Sequence, residues 1–262
     1  MTAAFIFFFF LSVTDVCLSA PAEMKNQTDD FTDDDSRPKV DLENLVLHGD
    51  VAVTNSAFKN ADPCTARGCM WPKSGRYVYV PYQIGPEFSQ NEKNIIIRGM
   101  QSFTQTTCVR FVPKRSADRD YIRFFSNGGC WSNIGRQRGG QYISLNRRGC
   151  VDHATVQHEI LHALGFHHEQ VRSDRDNYVR ILFNNIQQRQ RGNFRKVQTN
   201  NLVTPYDFTS VMHYGKYDFS SNGRPTIEAK SNPNQRFGNA RQMSANDIRR
   251  VNRLYKCDTS RY

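Results

Sequence analysis

The chain has 262 residues, 35 Lys and Arg against 25 Asp and Glu, a net charge of +10 and a mean hydropathy of −0.65. That length fits one sizeable domain with appendages, or two small domains. Past the first residues no stretch approaches the roughly 20 apolar residues that span a bilayer. The basic excess comes without a nucleic-acid-binding motif, so neither a membrane nor a nucleic acid is expected as partner.

In chain order, the apolar run Ala3–Val13, with Phe7–Phe10 inside it, has the length of a signal-peptide core and is too short for a spanning helix. Ala20-Pro21-Ala22 supplies a small-residue cleavage site, which makes 1–22 a signal peptide. The rival reading is an N-terminal anchor. Secretion places Cys17 in the removed segment and leaves six cysteines, 64, 69, 108, 130, 150 and 257, as three disulfides with fifteen possible pairings.

Residues 23–59 read as a pro-segment. They hold nine acidic and four basic side chains, and Asn26-Gln27-Thr28 is a glycosylation sequon. Leu42, Leu45, Val46 and Leu47 suggest a short packed piece before His48-Gly49-Asp50. Gly49 permits a tight backbone approach, and Asp50 offers a carboxylate that could silence an open metal position. The plainer reading is a turn. The remaining 60–262 carry 31 basic and 15 acidic side chains, which points to acidic extracellular glycoproteins as partners.

The globular part begins near Asn60. Arg76–Ile84 is strand-like, and Ser89-x-x-Glu92 is a capping box that opens a helix to about Phe103. Val109–Val112, Tyr121–Phe125 and Tyr142–Leu145 read as strands, and a helix follows at about His153–Leu164. A strand or turn at Asn177–Asn185 and a basic, Gln-rich helical piece to about Lys196 come next. Ser244-x-x-Asp247 opens a terminal helix with Ile248, Val251, Leu254 and Tyr255 on its buried face.

The chemistry centres on His158-Glu159-x-x-His162-x-x-Gly165-x-x-His168. Histidines four apart share one helix face and can hold one Zn²⁺. Gly165 can end the helix and turn the chain back so that His168 becomes a third ligand. Three protein ligands with a fourth position open mark a catalytic rather than a structural zinc, and Glu159 is placed to take a proton. His167 points elsewhere and reads as a non-ligand.

The segment from His158 to Asp176, together with Ser210-Val211-Met212-His213-Tyr214, resembles the astacin family of zinc metalloendopeptidases, among the metzincins. That resemblance implies an α+β, two-lobed fold. Its N-terminal lobe would hold a twisted sheet and two helices; its C-terminal lobe would be mostly irregular, with a terminal helix. It implies one Zn²⁺ per chain, Met212 as a floor beneath it, and Tyr214 as a switchable ligand that stabilises the oxyanion. It implies that Asp50 binds the metal in the latent form and that Glu169 receives the new N-terminus after an activating protease cuts near Lys59. The cysteine pattern is similar to that of fish hatching enzymes and nephrosin-like proteases, which implies the pairs Cys64–Cys69, Cys108–Cys257 and Cys130–Cys150. The expected function is secreted endopeptide hydrolysis, on egg-envelope proteins at hatching, with granule storage before release and with an extended protein substrate lying along the strand Tyr142–Leu145. The alternatives are a nephrosin-like protease of blood-forming tissue, or an inert binding protein with a vestigial site.

Overall fold

A computed structural model of the chain describes residues 45–54 and 68–261. The expected signal peptide, the Asn26 sequon, the acidic run, Lys59, Asn60 and Cys64 lie outside the described residues. Among those described, no helix is long and apolar enough to cross a membrane.

Two short strands come first, β1 (Leu45–His48) and β2 (Val51–Thr54), antiparallel about a Gly49-Asp50 turn. Next are β3 (Lys73–Ser74), β4 (Tyr77–Ile84), helix α1 (Gln90–Thr106), β5 (Val109–Pro113), β6 (Tyr121–Phe125), β7 (Cys130–Asn133), β8 (Gly140–Leu145) and α2 (His153–Ala163). After α2 the chain is mostly 3₁₀ turns and loops, with a small sheet of β9 (Val179–Ile181) and β10 (Ile227–Ala229). Helix α3 (Ala245–Leu254) follows. The class is mixed α+β, as the sequence indicated.

Among the described residues, eight strands form one sheet in the order β1-β2-β7-β8-β6-β4-β3, with β5 beside β4. Strand β8 is covered on both edges, parallel to β6 and antiparallel to β7. This corrects the expectation that substrate lies along Tyr142–Leu145: the backbone donors and acceptors there are already used. Strand β7 borders β8 on one edge, and β2 takes its other edge in parallel, with Val51 opposite Ser132 and Ala52 opposite Asn133.

Alternation along the strands and helical spacing along α1 and α2 build one apolar core. Val78 and Val80, Ile122 and Phe124, and Ile143 and Leu145 face it from the sheet. Ile96, Met100 and Phe103 answer from α1, and Val156 and Ile160 from α2. Ser89 caps α1 with Glu92 reaching back, the reciprocal box read from the sequence. A second cluster, with Phe194, Tyr206, Tyr214 and Ile227 in it, forms around the β9–β10 sheet. Met212 belongs to the first cluster and Tyr214 to the second, so the chain passes from one core to the other at this point. Helix α3 returns to the first core through Val251 and Tyr255. The Gln-rich piece expected to be helical is a 3₁₀ segment, Gln188–Phe194, with only Asn193 and Phe194 buried. It has too narrow an apolar face to hold a longer helix.

Disulfides join Cys108 to Cys257 and Cys130 to Cys150. Cys69 is disulfide-bonded. The first bond ties the end of α3 to the sheet, and the second ties β7 to the segment entering α2.

Helices α1 and α2 meet at Gly99, where an added Cβ would collide with the Val156 side chain. Gly99→Ala gains about 1 kcal/mol in helix propensity. The overpacking costs about 1–3 kcal/mol, and a net loss is expected because both partners are buried. Chemical denaturation should show the variant less stable than the parent, and adding Val156→Ala should recover part of the loss. Equal stability of Gly99→Ala and parent would contradict the close approach.

Candidate active site

Helix α2 carries the first two histidines and is buried over much of its length. Asp152 caps its N-terminus, accepting from Thr155 N at 3.0 Å. Its C-terminus ends at Gly165 with φ +107°. Gly165 N donates to His162 O at 2.8 Å and Phe166 N to Leu161 O at 3.0 Å. This pair of bonds is a Schellman closure and needs a glycine at the reversal. The next carbonyls are met by side chains: Trp71 Nε1 donates to Ala163 O and Tyr255 Oη to Leu164 O, both at 2.9 Å. The reversed chain then presents His168.

One ligand atom each from Asp50, His158, His162 and His168 lies within 4.8 Å of all the others. His162 Nε2 and His168 Nε2 are 3.2 Å apart. Two ligands of a tetrahedral zinc at about 2.0–2.1 Å each would be about 3.3–3.4 Å apart, close to this spacing. Backbone carbonyls hold the far ring nitrogens: His158 Nδ1 bonds Val211 O at 2.8 Å and His162 Nδ1 bonds Phe166 O at 2.7 Å. Each bond fixes the tautomer that leaves the Nε2 lone pair free. Burial pushes His162 down to about 4, which keeps it neutral. His167 is not part of the cluster, in agreement with its reading as a bystander.

Asp50 enters from the β1–β2 turn. Its Oδ2 is 2.9 Å from His158 Nε2 and its Oδ1 2.8 Å from His168 Nε2. Burial opposes its ionisation, but the His168 and His158 imidazoles hold its carboxyl well below the usual carboxylate range. Burial likewise opposes charge on His158, yet Asp50 outweighs it and raises the imidazole to about 9. A cation competes with that proton for the same lone pair, so metal uptake would release it. Gly49 makes the approach possible. Its φ is +67°, and a Cβ there would strike the Tyr214 hydroxyl.

Among the described residues, two buried oxygens beside Asp50 lack a hydrogen-bond partner, Glu159 Oε2 and Tyr214 Oη. Orphaned buried polar atoms are rare and costly, and a shared cation or a reacting group accounts for such a cluster. The donor set of three imidazoles and one carboxylate suits zinc. Burial pushes the Glu159 carboxyl well above the usual range and the Tyr214 hydroxyl well above its own. Glu159 is therefore poised to exchange a proton, and Tyr214 stays a donor. The Tyr214 ring lies 4.4 Å from that of His168, centroid to centroid. Asp50, His158, Glu159 and Tyr214 line a cleft of about 570 Å³ with Thr155, Val211, Asp218 and Phe219. Met212 is buried in the main core, and its carbonyl accepts from Glu169 N at 2.9 Å.

Glu169 is almost fully buried. It accepts from Asp207 N at 2.7 Å and pairs with Arg172 at 3.2 Å and with Arg250. Its charge is thus met by two guanidinium groups, with which a new chain terminus would have to compete. Sequence reasoning did not reach Arg250 or the second role of Asp247. Asp247 caps α3 and also accepts from Ser210 Oγ at 2.6 Å and Val211 N at 3.0 Å. The available signal was a pair of charges set into the otherwise apolar face of an amphipathic helix.

The sequence matches the model of the astacin peptidase family over residues 67–256. It is 46% identical over 235 residues to high choriolytic enzyme 2 of Oryzias latipes, covering 87% of this chain and 83% of that one. It is 42% identical over 215 residues to the low choriolytic enzyme of the same fish, covering 81% and 78%. The solved structure of high choriolytic enzyme 1, a hatching enzyme zinc-protease from Oryzias latipes, superposes with a TM-score of 0.72 at 46% identity. That superposition covers 76% of this chain and all of that one. Fold, site and sequence agree, and the chain belongs to the astacin family of zinc metalloendopeptidases.

Proposed function

We propose that the chain is secreted as a latent zymogen and, once trimmed, hydrolyses extracellular proteins, with egg-envelope proteins at hatching as its substrate. The observation that carries this reading is Asp50 seated among His158, His162 and His168, beside the unpartnered oxygens of Glu159 and Tyr214. The names of the choriolytic relatives support the choice of substrate.

In the trimmed enzyme His158, His162 and His168 would hold one zinc. When bound, zinc supplies Lewis acidity, lowering the pKa of water to about 7 and polarising a carbonyl. Glu159 takes the proton of the attacking water and delivers it to the leaving amine, a role that its raised pKa favours. Tyr214, kept protonated by burial, donates to the oxygen that gains charge. The free edge of β7 aligns an extended substrate by strand addition, the edge that β2 takes in the latent form. Arg249, Arg253 and Lys256 are exposed at helical spacing along and just beyond α3, away from these residues in sequence. They offer acidic glycoproteins a cationic face, as the charge of residues 60–262 suggests.

Purified, trimmed protein should degrade egg-envelope glycoproteins, and a chelator should abolish this. Glu159→Gln should keep zinc and lose about 10²–10⁴-fold in turnover. His162→Ala should instead lose its metal on dialysis. An active Glu159→Gln, or stoichiometric zinc in His162→Ala, would remove the assigned role.

Uncleaved Asp50→Ala should hydrolyse a peptide substrate faster than the uncleaved parent. If both are equally silent, Asp50 is not what blocks the site.

Activation should cut after Lys59, the last basic residue before the cysteine-bearing fold. N-terminal sequencing of the active species should begin at or within a few residues of Asn60; a start far from it rejects the boundary.

A further inference from the structure

We propose that α3 positions the zinc site. Asp247 and Arg250, three residues apart on one helix face, clamp the two segments that orient His158 and His168. The proposal rests on the reading that the histidine triad holds zinc.

The first arm starts at Asp247. Its Oδ1 accepts from Ser210 Oγ at 2.6 Å and its Oδ2 from Val211 N at 3.0 Å. Val211 O in turn bonds His158 Nδ1 at 2.8 Å, the bond that fixes that ring's tautomer and direction. The second arm starts at Arg250. Its guanidinium grips both Glu169 oxygens, with Nη2 2.8 Å from Oε1. It also holds Thr204 Oγ1 at 2.9 Å. Glu169 directly follows His168. The arms join behind the site, where Glu169 N donates to Met212 O at 2.9 Å, one residue after Val211. Asp247, Glu169 and Arg250 are 2%, 1% and 7% exposed, so each depends on the protein groups that face it: Asp247 on Ser210, Val211 and Ser244, Arg250 on Glu169, and Glu169 on Arg250 and Arg172. Breaking one buried partner leaves the rest uncompensated in a low dielectric, where they must move. Both chains of contact end on a ligand ring or on the peptide next to one. A helix that merely filled space would not need this polar face.

Zinc affinity of the full-length chain, measured by competition with a chromophoric chelator, is the readout, with a thermal melt beside it. Arg250→Gln and Asp247→Asn should bind zinc roughly 10–100-fold more weakly than the parent. Arg250→Lys keeps the charge but not the fork and should fall between. It carries the test if Arg250→Gln does not fold. Val251→Ala, which loosens the packing of α3 without touching either arm, should lower the melting temperature and leave zinc affinity unchanged. Parent-like affinity in both Arg250 variants overturns the proposal. So does a loss in Val251→Ala that matches theirs at equal loss of melting temperature. A parent that takes up no zinc overturns the zinc reading itself, and the clamp falls with it.

Discussion

Three imidazole lone pairs must converge on one point inside a protein where little else is free to move, and most of the fold answers to that demand. A helix can supply two of them, because residues four apart share a face. It cannot supply the third without ending. The end is costly unless its carbonyls find partners, and here each does: Gly165 and Phe166 N–H, the Trp71 indole and the Tyr255 hydroxyl share them. Residues as far apart as 71 and 255 are thus committed to one turn. The peptide carbonyls of Val211 and Phe166 then set the ring directions. The 210–214 segment thereby helps set the geometry of the imidazole cluster through the Val211 carbonyl.

The same sheet that supports α2 borders the cleft with a short strand, β7. Strand β7 is only four residues long, antiparallel to β8 on one side, with β2 on the other. Ser132 N donates to Asp50 O at 2.9 Å, so the backbone that sets the register also delivers the carboxylate. Register and chemistry are coupled at a single residue. A shift by one position would turn Asp50 to the opposite face and away from the histidines.

What the sequence disclosed was local. The Ser89–Glu92 and Ser244–Asp247 boxes announce their helices because capping is decided within four residues. The spacing of His158, His162, Gly165 and His168 carries its own geometry for the same reason. Strand partners were not legible. Cys130–Asn133 shows no alternation long enough to mark a strand, and only the tertiary order reveals that it, and not Tyr142–Leu145, borders the cleft. Nor could sequence separate the two duties of Asp247, since a cap residue and a bridge to a distant loop look identical in one dimension. Arg250 reads as an ordinary helix cation until Glu169, 81 residues earlier, is brought against it.

The proposed latency follows from how weakly the hairpin need bind. Only two residue pairs register β2 against β7, and the carboxylate adds its contacts to the imidazoles. Held in the same chain, Asp50 acts at an effective concentration on the order of millimolar, so a modest intrinsic affinity keeps the site closed. The proposed cut after Lys59 would turn the same contacts into a bimolecular complex, diluted to the working concentration of the protein. An inhibitory segment with a long, well-packed strand would survive that cut and leave the enzyme blocked. On the proposed scheme, a short parallel pairing that carries one carboxylate on a glycine turn would hold while attached and release once severed.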